Sequence, residues 1–389
     1  MKKLLLMLCL VFMAPNIYSK DTAWQKHAIQ WKDADSRNLL VFLDGTAAKA
    51  RHQTNVRKLY EAAFSFADTQ PIIAYYDKGV GATKLSFIPG VYSGRGLSKN
   101  IRQGYRFLAK TFKPRDKIYI FGFSRGAFSA RSLNGFLELC GLLDARSMDE
   151  SELIDWAGDI FEIYHQNNAD DVIAEMHELR TEIPQLKFHK VKVEVIGVWD
   201  TVASIGLRHV RHPKRHHVTT LYAKTGCHAL SIDEQRKKFL PILFKPGKNG
   251  ERLTQVWFSG SHADVGGGYG DDSHQLDNIS LNWMLSCIGK TSIIDDNVYF
   301  EANPIGKMHD EYYDAILPLR KLYKQSGITV REIPRGSIIH ESVVERMKAN
   351  RLPYPHKKRE STGVYRPSRF DLATIQNSYQ ILPYQTGHD

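Results

Sequence analysis

Short apolar runs that stop abruptly on a polar or glycine-rich turn recur along this chain and narrow the folds open to it. Leu39-Leu40-Val41-Phe42-Leu43 runs into Asp44-Gly45-Thr46, and Ile118-Tyr119-Ile120-Phe121 into Gly122-Phe123-Ser124-Arg125-Gly126. Val193 to Trp199 ends at Asp200, and Thr254 to Phe258 ends at Ser259-Gly260-Ser261-His262. The unbroken apolar runs among them have to bury both faces, as parallel sheets covered by helices on either side do. Ile72 to Tyr76 reads as a further strand. Between the strands, helical periodicity marks Thr54 to Phe64, with Val56, Leu59, Tyr60 and Ala63 on one face. It also marks Leu97 to Phe112 and residues 149–166 and 170–180. Strands alternating with helices predict an α/β fold, a mostly parallel sheet flanked by helices. A glycine-rich loop (Gly79, Gly81, Gly90, Gly94, Gly96) interrupts the alternation, and past residue 291 six prolines from Pro304 to Pro367 break it up.

In open α/β sheets, reactive groups gather beyond the C-terminal ends of the strands. The sharpest such end is Gly122-Phe123-Ser124-Arg125-Gly126, a G-x-S-x-G turn between a strand and the helical Ala127-Phe128-Ser129-Ala130-Arg131-Ser132-Leu133. A serine at the apex of a strained strand-to-helix turn is held as a nucleophile is, and small flanking residues let the neighbouring backbone approach. Serine hydrolysis also needs a base and an acid that orients it, and on this kind of sheet they follow in the order Ser, Asp, His. Ser124, Asp200 and His262 obey that order. Of 16 histidines, His262 stands out by its place in a glycine-rich loop directly after a strand. The oxyanion donors expected are the backbone N–H of Arg125 and, from the turn after the first strand, of Gly45 or Thr46. Asp44 is a secondary candidate, either orienting that turn or competing with Asp200, and Asp264 is another beside His262. A metal site built from Asp44, Asp200, His262 and Asp264 is the weaker alternative, since it leaves the serine turn without a purpose. No metal and no cofactor are expected.

These blocks, with Thr54-Asn55-Val56, Trp199-Asp200-Thr201-Val202 and Ser261-His262-Ala263-Asp264-Val265-Gly266-Gly267-Gly268-Tyr269, resemble the catalytic domain of the class 1 type VI secretion lipase effectors. Gly79-Val80-Gly81 and Ser231-Ile232-Asp233-Glu234-Gln235-Arg236 are lesser matches. The resemblance spans roughly residues 38–290. It implies an α/β-hydrolase-like fold and a Ser124–Asp200–His262 triad, making the chain a serine esterase that acts on lipid or phospholipid esters. The alternative from another class is a non-catalytic binding or interaction protein that keeps the hydrolase fold.

Lys2-Lys3, the apolar run Leu4 to Ala14, and small Ser19 have the layout of an export signal, too short to span a bilayer. The division expected is therefore a signal peptide over 1–19, a hydrolase domain over 20–290, and an irregular C-terminal extension over 291–389 packed on that domain. A periplasmic or secreted location follows. The type VI effectors are delivered without such a leader, so the resemblance is carried over for the fold and triad and not for an antibacterial role. Removing the leader takes away two lysines and no acid, so the formal charge of +11 falls to +9. That balance favours peripheral contact with anionic membrane, and no nucleic-acid-binding signature accompanies it. Two basic stretches, 208–217 and Arg346 to Arg359, are expected to be solvated faces. After cleavage Cys140, Cys227 and Cys287 remain, enough for at most one disulfide.

Overall fold

The computed structural model of the chain describes residues 23–45, 53–79, 94–165, 168–202, 216–245, 250–269, 275–310, 312, 327–349, 365, 367 and 371–384. Its strands are, in chain order, β1 (Asn38–Leu43), β2 (Ile72–Asp77), β3 (Lys117–Phe123), β4 (Leu142–Leu143), β5 (Phe188–His189), β6 (Val193–Trp199), β7 (Thr225–Ser231), β8 (Arg252–Phe258), β9 (Ile338–His340) and β10 (Gln380–Leu382). β4 and β5 pair antiparallel in a small ribbon of their own. The other eight form one all-parallel sheet in the order β2-β1-β3-β6-β7-β8-β9-β10. The helices are α1 (Ala23–Gln30), α2 (Asn55–Phe66), α3 (Gly94–Thr111), α4 (Arg125–Cys140), α5 (Glu150–Tyr164), α6 (Ala169–Glu182), α7 (His262–Gly266), α8 (Asp277–Ile288), α9 (Glu341–Lys348) and α10 (Leu372–Ser378).

The central strands are buried on both faces, as their unbroken apolar runs predict. Leu39, Val41, Leu43, Ile118 and Ile120 pack into one layer with α3, α4, α5 and α6, while Leu40, Phe42, Tyr119 and Phe121 pack into the other with α2 and α8. Between β3 and β6 the register slips by one residue at Glu194, so Val193 and Ile196 fall in the same layer. A bulge of this kind is how a strand re-aims its end, and here that end carries Asp200. Side-chain caps start several helices: Thr54 accepts from the Arg57 N–H, Asp149 from Glu152 and Asn168 from Asp171.

Strand β7 gave no sequence signal. Thr225-Gly226-Cys227-His228-Ala229-Leu230-Ser231 has no apolar run, yet all seven residues are buried, because small side chains fill the tight space between the layers. Cys227 on β7 is bonded to Cys287 on α8, which leaves Cys140 as a buried thiol. The region beyond residue 291, which reads as irregular, adds β9 and β10 to the edge of the sheet. Strands of three residues are too short to show a period. No helix among the described residues is long and apolar enough to cross a membrane.

Of the two basic stretches expected as solvated faces, Lys348 is exposed as expected, but His216, His217 and Arg346 are not. His216 and His217 are buried, and His216 Nδ1 lies 3.0 Å from the Ser132 hydroxyl. Arg346 is fully buried and donates to the carbonyls of Pro304 and Gly306 at 2.8 and 2.7 Å. Charge content reads as exposure only until backbone carbonyls are available to receive the guanidinium. Residues 1–19, 208–215, Arg351 and Lys357 to Arg359 lie outside the described residues.

Candidate active site

β3 and α4 are joined at one residue. Ser124 sits there with φ 59° and ψ −120°, a conformation that a non-glycine residue adopts only under constraint. Two features impose it. The Ser124 N–H donates to the Trp199 carbonyl at 3.0 Å, and the Ser124 carbonyl accepts from Phe128 at 3.2 Å as the helix begins. The flanking glycines admit the close packing: a Cβ on Gly126 would lie 2.0 Å from the Leu43 carbonyl oxygen, and one on Gly122 would lie 2.6 Å from that of Gly126.

His262 reaches this serine from β8. It opens α7, whose Ser261 and Asp264 form a capping box. Its ring lies against Phe123 and Phe239, with centroids 4.7 and 5.1 Å away. Nε2 is 2.7 Å from Ser124 Oγ, and Nδ1 is 2.5 Å from Asp200 Oδ2. A carboxylate accepts only, so Nδ1 carries the proton and Nε2 is left to accept from the serine hydroxyl. Asp200, at the end of β6, is fully buried and has its own strained backbone, φ 41°.

Its carboxylate is heavily supplied with donors. Ser231 N–H donates to Oδ1 at 3.1 Å, and Arg331 donates to Oδ1 at 2.6 Å and to Oδ2 at 2.9 Å. Burial alone would raise its pKa, but the Arg331 guanidinium and then His262 override that and hold the carboxyl well below the usual range. Glu234 Oε2 accepts from the His262 backbone N–H at 3.3 Å. Burial pushes Glu234 up as well, and its Arg236 partner, with smaller help from Arg331 and His262, turns the balance downward. Next to this cluster, buried His228 is pushed down to about 3 by burial and then by Arg131, so it is neutral and its Nε2 accepts from Thr201 at 3.3 Å.

Ser124, Asp200 and His262 are thus brought together, whereas the secondary candidates are not. Asp44 holds the turn after β1: Oδ1 accepts from Gly45 N–H at 2.6 Å, and Oδ2 accepts from Thr54 at 2.7 Å and Tyr76 at 2.6 Å. Asp264 accepts from Ser261 at 2.9 Å and pairs with His309 Nδ1 at 2.7 Å. Of the candidate oxyanion donors, Arg125 opens α4, Thr46 lies outside the described residues, and the Gly45 N–H is occupied by Asp44. Arg331 and Glu234 were missed as site residues. Arg331 carries no local pattern, and Glu234 stood out only within the Ser231–Arg236 block.

Eight parallel strands with a strained serine between β3 and α4 define an α/β-hydrolase-like protein, a mostly parallel sheet flanked by helices. The chain belongs to the family described as T6SS, phospholipase effector Tle1-like, catalytic domain, whose model matches residues 37–287. That makes it a member of a lipase and esterase type of family. It is similar to the uncharacterized protein YEL023C of Saccharomyces cerevisiae, 29% identical over 232 residues that cover 55% of this chain and 33% of the yeast protein. Similar solved structures include an uncharacterized protein from Pseudomonas aeruginosa (TM-score 0.37, 16% identity, 78% of this chain and 51% of that one). Another is the Tle1 effector bound to the VgrG spike of the type 6 secretion system (0.29, 16%, 60% and 51%). A third is a thermophilic esterase from Thermogutta terrifontis with propionate bound (0.32, 15%, 66% and 82%). The chain spans a third of the yeast relative and about half of the first two structures.

Proposed function

We propose that this protein is a serine carboxylester hydrolase that cleaves phospholipid esters outside the cytoplasm. The observation that carries the reading is the continuous chain from Ser124 Oγ through His262 to Asp200, at 2.7 and 2.5 Å. Ser124 Oγ attacks the acyl carbonyl carbon while its proton passes to His262 Nε2. The tetrahedral intermediate collapses, the C–O bond to the alcohol breaks, and His262 returns the proton to the departing oxygen. Water, deprotonated by the same nitrogen, then attacks the acyl carbon; the bond to Ser124 Oγ breaks, the proton returns from Nε2 to Oγ, and the fatty acid leaves. Asp200 keeps Nδ1 protonated and offsets the charge of the imidazolium. Arg125, at the start of α4, supplies a backbone N–H for the oxyanion where the helix dipole is positive.

Family membership supports a lipid substrate, and the net positive charge supports contact with an anionic bilayer. Exposed Lys237 and Leu240 flank Phe239, whose ring packs on His262, and so give that contact a place beside the site. The leader-like N-terminus and the Cys227–Cys287 disulfide support an oxidising location.

A fluorophosphonate probe tests the reading. Wild type is expected to label and Ser124→Ala is not, with ester hydrolysis lost in parallel. Absence of label on both would leave the hydrolase fold as a binding module. Fatty acid release from phospholipid vesicles compared with short-chain esters then tests the substrate class.

A further inference from the structure

Arg331 lies beyond residue 287, where the family match ends, and only 3% of its surface is exposed. Besides its two bonds to Asp200, Nη1 donates to the Ser231 carbonyl at 2.7 Å and Nη2 to the Phe239 carbonyl at 2.6 Å. One guanidinium therefore ties together the end of β6, the end of β7 and the loop whose Phe239 ring packs on His262. Serine hydrolysis does not require it, since an aspartate alone orients an imidazole. Burying a guanidinium is costly unless its donors are matched; here both Nη atoms are matched, to the two carboxylate oxygens and two carbonyls, and Nε alone has no hydrogen-bond partner among the described residues.

We propose that Arg331 is the positioning residue of this site. Its fork fixes the Asp200 carboxylate in the rotation that leaves Oδ2 facing His262 Nδ1, and its charge offsets part of the carboxylate's field at the imidazole. The proposal rests on the serine hydrolase reading above. It makes the segment after residue 327 part of the working site, although that segment lies outside the family domain.

The charged and titratable groups that bear on the pair come from several elements. Arg331 and Ser231 face Asp200, and His228 lies behind it on β7. Glu234, paired with Arg236, faces the backbone of His262. Asp264 lies on α7 itself and is bound to His309. With Arg331 removed, Asp200 retains its neighbours but loses the cation that offsets it, so the imidazole feels a larger negative field. The acid limb of the rate profile then moves to higher pH.

The experiment follows kcat/KM against pH with a soluble ester for wild type, Arg331→Lys and Arg331→Met, each scaled to the fraction of Ser124 that a fluorophosphonate titrates. Lysine keeps the charge and loses the fork, so the rate is expected to fall about 100-fold with the acid limb in place. Methionine loses both, and its acid limb is expected to rise by about one pH unit. A wild-type rate in Arg331→Lys overturns the role of the fork. An unmoved limb in folded Arg331→Met overturns the role of the charge. If Arg331→Met does not fold, Arg331→Gln takes its place as the uncharged variant under the same two outcomes, and scaling to titrated sites removes any loss of folded protein. An unlabelled wild type sinks the serine reading and this proposal with it; a labelled wild type with unaltered Arg331 variants sinks this proposal alone.

Discussion

Strands β1 and β6 flank β3, and each ends in a buried aspartate, but the two turns put opposite demands on their carboxyls. Asp200 after β6 meets a guanidinium, a backbone N–H and an imidazole, and is held ionised far below its ordinary pKa. Asp44 after β1 meets two hydroxyls and a backbone N–H but, among the described residues, no directly bonded cation. Burial pushes it up to about 6, and those hydrogen bonds only partly resist. Burial is the same; the donors differ. A neutral hydroxyl compensates a buried charge less than a forked guanidinium does. Only the turn after β6 therefore presents a permanent anion to His262, while the turn after β1 is a hydrogen-bonded brace for the backbone beside Ser124.

Exchanging the carboxyls for amides breaks the comparison most forcefully. Asp200→Asn is expected to lower kcat by about 10⁴-fold, because an amide that accepts Arg331 donates to the imidazole and favours the wrong tautomer. Asp44→Asn is expected to stay within about tenfold of wild type. Initial rates on a soluble ester, scaled to titrated Ser124, measure both. Equal losses would mean that Asp44 also serves the chemistry.

The turns after β1 and β6 are both legible in the sequence, because each closes a strand that its own apolar run announces. So is His262, for the same reason. What the sequence did not reveal is the set of long-range partners. Arg331 is 131 residues from Asp200, and a lone arginine among the 53 basic residues of the chain has no local pattern to distinguish it. β7 was hidden for a different reason: Gly226 and Ala229 are small where two layers converge and Cys227 is bonded to Cys287, and neither demand leaves a period. The short edge strands were concealed by prolines around them. Local chemistry at strand ends is thus readable, and the pairing that sets its charge is not.

The pH dependence of stability sharpens the contrast. Asp44 has a folded pKa of about 6 against an ordinary 3.8, so its folded form binds the proton more tightly. Its favourable contribution is full below pH 3.8 and is lost as pH rises through about 6, a cost of about 3 kcal/mol at neutral pH. Asp200 runs the other way: its contribution is present above 3.8 and is lost only as pH falls below that. Denaturant melts are therefore expected to show the stability of Asp44→Asn rising relative to wild type between pH 4 and 6, then levelling. For Asp200→Asn, a constant deficit from the lost charge pairing with Arg331 should persist across that window and shrink only in stronger acid. A flat Asp44→Asn difference from pH 4 to 7 would show that the brace tolerates its charge.

The smallest expected effect probes a single donor. Thr54 Oγ1 donates to Asp44 Oδ2 at 2.7 Å and accepts from the Arg57 N–H at 3.1 Å, capping α2. Thr54→Ala removes both bonds. Loss of the cap costs about 1 kcal/mol at any pH. Loss of the donor matters more when Asp44 is ionised, because a hydrogen bond to a charged acceptor is roughly twice as strong as a neutral one. Melts are thus expected to show a deficit near 2 kcal/mol at pH 5 that grows toward about 3 kcal/mol at pH 8, with Thr54→Ser restoring most of it. Activity per titrated serine should change by less than about twofold, since Thr54 supports the brace and not the acid. A deficit independent of pH would assign Thr54 to the helix cap alone and leave Tyr76 and Gly45 as the effective partners of Asp44.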